Sequence, residues 1–263
     1  GDQEYRYGLL DAQAGQLGAT LQDRFGVRPG DRVGLWLKNC PEFVPALFGV
    51  LQAGAVVVPI SNFLKPDEIG YILADANIHV LITDVSMVEQ QPALLGLRPQ
   101  LRIWQVEEFA KPGNCNAALV ANRQSAIGDR QSEDLALIIY TSGTTGRPKG
   151  AMLTHGNLLH NVESCRIVLQ TVSADRFAVL LPLFHSYMLT VGLLLPLLVG
   201  GSVVLVKSLH PVRNVLQEIL QRQATVIPAI PQFYRSMVNT PIHVPLPLRI
   251  AVSGAAPLPV QVL

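Results

Sequence analysis

Tyr140-Thr-Ser-Gly-Thr-Thr-Gly-Arg-Pro-Lys-Gly150 decides how this chain is read. The apolar run Leu135-Ala-Leu-Ile-Ile139 leads straight into it and predicts a buried strand that ends in a ligand-binding loop. Gly143, Gly146 and Gly150 let the backbone approach a ligand closely. The hydroxyls of Thr141, Ser142, Thr144 and Thr145 add donors, and Lys149 adds a mobile positive charge. Successive backbone N–H groups in such a loop form an anion-binding concavity, and phosphate is the guest that suits it.

The pattern is not a Walker A loop, which needs G-x-x-x-x-G-K-[ST]. Counted from Gly143, Pro148 stands where the second glycine belongs, and Gly150 replaces the hydroxyl that would meet magnesium. Ala151-Met-Leu-Thr154 reads as another strand, whereas a Walker A loop opens a helix.

Composition narrows the field. The chain has 263 residues, 49% of them hydrophobic, and a mean hydropathy of +0.32. These values suit buried parallel strands and argue against disorder. Lys plus Arg total 20 against 19 acidic residues, so no net field favours nucleic acid or an anionic membrane. Cys40, Cys115 and Cys165 show no metal-ligand spacing and read as free thiols of a reducing, cytoplasmic compartment. The apolar run Met188 to Val206 is interrupted by Pro196 and divided by Gly200-Gly201. It predicts a buried helix followed by a strand, not a transmembrane segment.

Outward from the loop, strand and helix patterns alternate. Helices are expected from Leu10 to Phe25, Pro41 to Gln52, Pro66 to Ala76, and, with an amphipathic pattern, His155 to Gln170. Others are expected over Pro211 to Gln223 and Gln232 to Val238. Strands are expected at 32–37, 55–59, 79–83, 176–181, 202–206, 225–228 and 248–252, with a helix-and-strand pair within 85–106. The stretch 107–133 has no clear period and reads as a linker. Strands separated by helices of this length predict βαβ units and an α/β fold with parallel sheets.

The loop resembles the signature of the adenylate-forming superfamily, which comprises acyl-CoA synthetases, firefly-type luciferases and nonribosomal-peptide adenylation domains. Leu181-Pro-Leu-Phe-His185 and Ser253-Gly-Ala-Ala-Pro257 agree with that family in order and spacing. So do Pro29-Gly-Asp-Arg-Val33, Pro41-Glu-Phe43 and Ala53-Gly-Ala-Val-Val-Val-Pro59. The resemblance covers essentially the whole chain and is most like a fatty acyl-CoA synthetase.

It implies two stacked αβα subdomains: one over about 31–170, the other combining about 1–28 with 171–263 and left incomplete, with an unpaired sheet edge. The barrel remainder, the C-terminal domain and its catalytic Lys would lie beyond Leu263, together with the magnesium-binding carboxylate and the ribose-binding Asp. The fragment alone is therefore expected to be inactive.

In the intact parent the resemblance implies ATP-dependent activation of a carboxylic acid to an acyl-adenylate, with release of pyrophosphate, then thioester formation with CoA. Residues 141–146 with Lys149 and Gly150 would hold the β- and γ-phosphates, Lys149 would offset charge on the leaving pyrophosphate, and Thr141 would contact Mg²⁺. Ser253, Gly254, Ala255, Ala256 and Pro257 would pack against adenine. His185 would line the carboxylate end of the acyl tunnel. Read without the resemblance, His185 is a hydrogen-bonded core histidine, and 253–257 fits an ordinary strand-to-helix turn as well as a ligand surface.

Amino-acid-activating relatives carry an Asp near the position of His185. Phe184-His185-Ser186-Tyr187 has no acidic residue, so a buried ammonium would go unpaired. A medium- or long-chain fatty acid is expected from the apolar run after Tyr187. An aryl (coumarate-type) acid is the rival, and a non-catalytic nucleotide-binding module is an alternative of another class. His155, Ser253 and Asp134 form no hydrolase triad, since no G-x-S-x-G elbow is present. Peripheral membrane contact and a homodimer are left open.

Overall fold

The computed structural model of the protein describes residues 3–109, 131–141, 147–241 and 244–260. It divides into two compact units, residues 1–157 and 158–263.

In the first unit, strands β1 (Arg32–Trp36), β2 (Val56–Pro59), β3 (Val80–Thr83), β4 (Arg102–Gln105), β5 (Leu135–Thr141) and β6 (Lys149–Thr154) form one sheet. Its order is β4-β3-β1-β2-β5-β6. Neighbours pair in parallel except β5 and β6, which are antiparallel. β1, β2 and β3 are almost wholly buried, as strands covered on both faces must be.

Helices α3 (Pro66–Asp75) and α4 (Gln91–Leu97) cover one face. Ile69, Ile72, Leu73 and Leu94 pack there against Val56, Val58, Leu81 and Ile138. Helix α2 (Phe43–Gln52) packs on β1 and β2, and α1 (Tyr7–Asp23) packs on α2. The side chain of Gln22 on α1 donates to the carbonyl of Ala53 (3.2 Å). Just beyond α1, Phe25 stacks on Trp104 of β4 with ring centroids 5.2 Å apart. These contacts place residues 1–28 in the first compact unit. The division at residue 157 falls inside a helix. The apolar stripe Leu17 and Leu21 announced a buried face without naming the layer that buries it.

The second unit holds β7 (Arg176–Val179), β8 (Ser202–Leu205), β9 (Val226–Ala229) and β10 (Ile250–Ser253) in the order β10-β9-β7-β8, all parallel. Helices α7 (Val212–Arg222) and α8 (Pro231–Val238) place Val215, Leu216, Ile219, Phe233 and Tyr234 on one face, against Ala178 and Ile227. On the other face Phe177 and Val226 meet Val162 of α5 (His155–Leu169), together with Val191 and Leu195. Period-two alternation along the strands divides the two faces.

The apolar run is a buried helix ahead of a strand, as expected, with a π form at its start; the expectation of an amphipathic α5 needs correction. The apolar run after Tyr187 forms a π-helix (Met188–Leu194) that continues as the short α-helix α6 (Leu195–Val199). Helix α5 is hardly amphipathic: Leu159 is 61% and Val168 78% exposed, while Val162 is buried. No helix of the described residues is long and apolar enough to cross a membrane. Cys40 and Cys165 are free thiols, both pushed up by burial, Cys40 also by Glu42. Cys115 and most of the expected linker lie outside the described residues.

The amino ends of three strands in the second unit meet at one carboxylate. Asp175, whose side chain is 3% exposed, accepts from the backbone N–H of Val172 (2.9 Å), the Thr225 hydroxyl (2.9 Å) and Arg249 Nε (3.1 Å), and pairs with the Arg249 guanidinium. Burial would raise its pKa, but Arg249 and the hydroxyl and amide donors outweigh burial and hold it below the ordinary carboxylate range. A depressed folded-state pKa adds stability above the unfolded value, near 4, that is lost as pH falls through the folded value. Asp175→Asn should cost roughly 1.5–3 kcal/mol at neutral pH and flatten the acid limb of stability against pH, as read by denaturant unfolding at a series of pH values.

Candidate nucleotide and acyl site

β5 and β6 turn the quoted stretch into an antiparallel hairpin whose head lies at the carboxyl end of the sheet. Its register runs from Leu135 opposite Thr154 to Thr141 opposite Lys149. Directly opposed residues of an antiparallel pair place their Cβ atoms about 4.5–5.5 Å apart on the same face. The side chains of Thr141 and Lys149 thus start from adjacent positions on one face at the head of the hairpin, and both residues are exposed. Ser142, Gly143, Thr144, Thr145 and Gly146 lie outside the described residues.

One step back along the hairpin, Tyr140 faces Gly150. A Cβ at Gly150 would come within 2.7 Å of Ile138 Cγ2 and 3.2 Å of Tyr140 Cζ. Gly150 therefore makes room for the Tyr140 ring. By alternation, Ile138 and Tyr140 point towards α3 while Thr141 and Lys149 point away from it.

In the second unit the strand order reverses direction at β7, which lies between β8 and β9. Ligands of open α/β sheets bind at the carboxyl ends beside such a switch point. The segment 180–187, which carries His185, follows β7 there, and Ser253 to Pro257 follow β10 at the same end. These two sets of expected residues are brought together within the unit. His185 is exposed, and its backbone N–H bonds the carbonyl of Pro182 (3.1 Å).

Tyr187 joins them. Its hydroxyl donates to the carbonyl of Val252 (2.8 Å), with Ala229 O at 3.4 Å, and its ring fills the space beside Gly254. A Cβ there would lie 2.7 Å from Tyr187 Cζ. Burial pushes the phenol up to about 12, so it stays a donor at neutral pH. Gly254 was read as a surface for adenine; its missing side chain is used first by this chain's own tyrosine. The sequence around Tyr187 gives it no role, since no local spacing reveals a contact with residue 254. Ala255 sits at φ +66°, a left-handed backbone that side chains rarely adopt. The Ser253 hydroxyl is buried without a partner among the described residues. A strained turn beside an unsatisfied buried hydroxyl is the kind of place where a polar ligand is accommodated.

A family model described as "AMP-binding enzyme" matches residues 1–263. The chain belongs to the AMP-binding enzyme family. It is 37% identical over 237 residues to a feruloyl-CoA synthase of Amycolatopsis sp, covering 89% of this chain and 46% of that protein. It is 30% identical over 281 residues to a long-chain-fatty-acid–CoA ligase of Bacillus subtilis (strain 168), covering 94% and 50%. Among solved structures, an anthranilate CoA ligase in complex with anthranoyl-AMP superimposes with a TM-score of 0.87 at 29% identity, covering 99% of this chain and 52% of that one. The chain spans about half the length of the curated relatives it matches.

Gly254→Ala should expel the Tyr187 ring and cost about 1–3 kcal/mol, read by thermal unfolding of the whole protein. Combined with Tyr187→Leu the two changes should be clearly less than additive. Additive effects would show that the ring and the glycine do not share that space.

Proposed function

We propose that the whole protein uses ATP to activate a carboxylic acid that carries no ammonium group, and transfers the acyl group to CoA. Thr141 opposite Lys149 at the hairpin head is the observation that carries this reading. In the reaction a carboxylate oxygen attacks the α-phosphorus of ATP. The new P–O bond gives the acyl-adenylate, and the bond to the pyrophosphate oxygen breaks, leaving pyrophosphate with the electron pair. The chain needs no nucleophile of its own for this step; positioning and charge neutralisation are what it supplies. Lys149 serves as the cation that offsets charge on the departing pyrophosphate, and the Thr141 hydroxyl as a phosphate donor beside it.

Magnesium fits the described residues poorly as a protein-held ion. Among the described residues no group of His, Cys, Asp or Glu could hold a metal, and a lone threonine hydroxyl does not retain a hard cation that favours carboxylates and phosphates.

The acid is aromatic in our reading. The apolar run after Tyr187 first suggested a fatty acid, but Met188, Leu189, Leu193 and Leu195 are buried in the unit's own core. Packing accounts for their character without an acyl chain. Just ahead of the run, His185 and Ser186 are exposed beside the partly buried rings of Phe184 and Tyr187, and aromatic surfaces favour stacked ring partners. The similarity to a feruloyl-CoA synthase supports the same class. A fatty acid is the second reading, supported by the Bacillus subtilis ligase.

With the whole protein, cinnamic and benzoic acids should drive ATP–pyrophosphate exchange with kcat/KM above that for medium- and long-chain fatty acids. Amino acids should be inactive. Lys149→Ala should lower kcat of the exchange about 10²-fold, the size expected for loss of one charge-stabilising group. Preference for amino acids, or an unaffected Lys149 variant, would overturn the reading.

A further inference from the structure

Helix α3 meets the hairpin at two places. The Tyr140 hydroxyl at the end of β5 donates to the Asp75 carboxylate. The Arg147 guanidinium, where the chain returns towards β6, lies over the Tyr71 ring, 5.6 Å from its centroid. Tyr71 and Asp75 are one turn apart on the same side of α3. A single short surface of one helix thus touches both the entry to and the exit from segment 142–146.

That surface is rigid. Ile69, Ile72 and Leu73 of α3 are fully buried against the sheet. The start of the helix is held by the Glu68 carboxylate, which accepts from the Lys65 N–H (2.8 Å). Gly150 completes the seat, since a Cβ there would press first on Ile138 Cγ2 (2.7 Å) and then on the Tyr140 ring (3.2 Å). Burial, then the hydrogen bond to Asp75, raises the Tyr140 phenol, so the donor persists at physiological pH. Tyr71 and Arg32 are the other charged or titratable groups acting on it.

We infer that Tyr71 and Asp75 of α3 brace both ends of the phosphate-binding hairpin, which makes Tyr140 and Arg147 positioning residues for ATP. The inference rests on the reading of this hairpin as the pyrophosphate grip. Neither residue has to touch the nucleotide. Both work by fixing where Thr141 and Lys149 stand on the opposite face, and they act on ATP more than on the acid.

The test uses the whole protein and steady-state exchange kinetics. Arg147→Gln and Tyr71→Leu should each raise KM for ATP roughly fivefold, the factor of an exposed cation–π contact, with KM for the acid unchanged. Arg147→Lys and Tyr71→Phe keep the cation and the ring face and should restore KM for ATP. The double variant Arg147→Gln/Tyr71→Leu should be no worse than either single one. Tyr140→Phe should raise KM for ATP in the same direction.

KM for ATP within twofold of the unmodified protein in Arg147→Gln and Tyr140→Phe would overturn the brace. Equal losses on ATP and acid would also overturn it, because they would mark a merely structural role. If Tyr71→Leu does not fold, the Arg147 and Tyr140 variants decide the matter alone. Should the unmodified protein show no exchange with any acid, the proposed function fails, and amide hydrogen exchange still tests the brace. In Arg147→Gln, exchange at residues 147–150 should quicken while β1 to β3 stay unchanged; unchanged exchange in the hairpin overturns the brace.

Discussion

The antiparallel pairing of β5 with β6 is the constraint on which the candidate site in the first unit depends. The rest of that sheet is parallel, and parallel neighbours need long crossovers. A strand that doubles straight back needs only a loop, so both of its ends can hold one short segment. Pairing from Leu135–Thr154 to Thr141–Lys149 sets which residues share a face. Because side chains alternate, a slip of one residue would turn Lys149 towards α3 and Gly150 away from Tyr140. The register is thus held by the requirement that Ile138 and Tyr140 stay on the apolar side.

The second unit is organised by a contrast between its two ends. At the amino ends, Asp175 ties β7 to the residues preceding β9 and β10, so the strands are fixed where no ligand is expected. At the carboxyl ends the polar groups are less fully committed: His185 is exposed, the Ser253 hydroxyl is buried without a partner among the described residues, and Ala255 has a left-handed backbone. Tyr187 is the tie at that end, bonding the carbonyl of Val252 while its ring rests on Gly254. Stability is concentrated at one end and unsatisfied chemistry at the other, as expected when a fold supports a site with packing placed elsewhere.

Much of this was legible in the sequence. Val56-Val-Val58 and Leu81-Ile82 are apolar on both faces, which only a covered parallel strand explains, and the helices between them carry their own starts and stops. The glycine- and hydroxyl-rich loop was legible because its chemistry is local. Three things were not. The partner of α1 was hidden because its apolar stripe fits any covered face. The π-helix after Tyr187 was hidden because its apolar residues give no sign of a widened turn. The contacts Tyr187–Gly254, Tyr140–Asp75 and Arg147–Tyr71 were hidden because they join residues more than 60 positions apart.

The hairpin has a consequence for how such a chain can change. Its register is fixed by paired strands and by α3, not by the segment that links them. Thr141 and Lys149 therefore keep their places whatever the length of that segment. Lengthening a connection between paired strands costs little in general, about 0.6 kcal/mol for each doubling. The strand pairing that holds Thr141 and Lys149 is thus specified by residues outside positions 142–146. A fold arranged in this way separates the inheritance of its scaffold from the inheritance of its specificity.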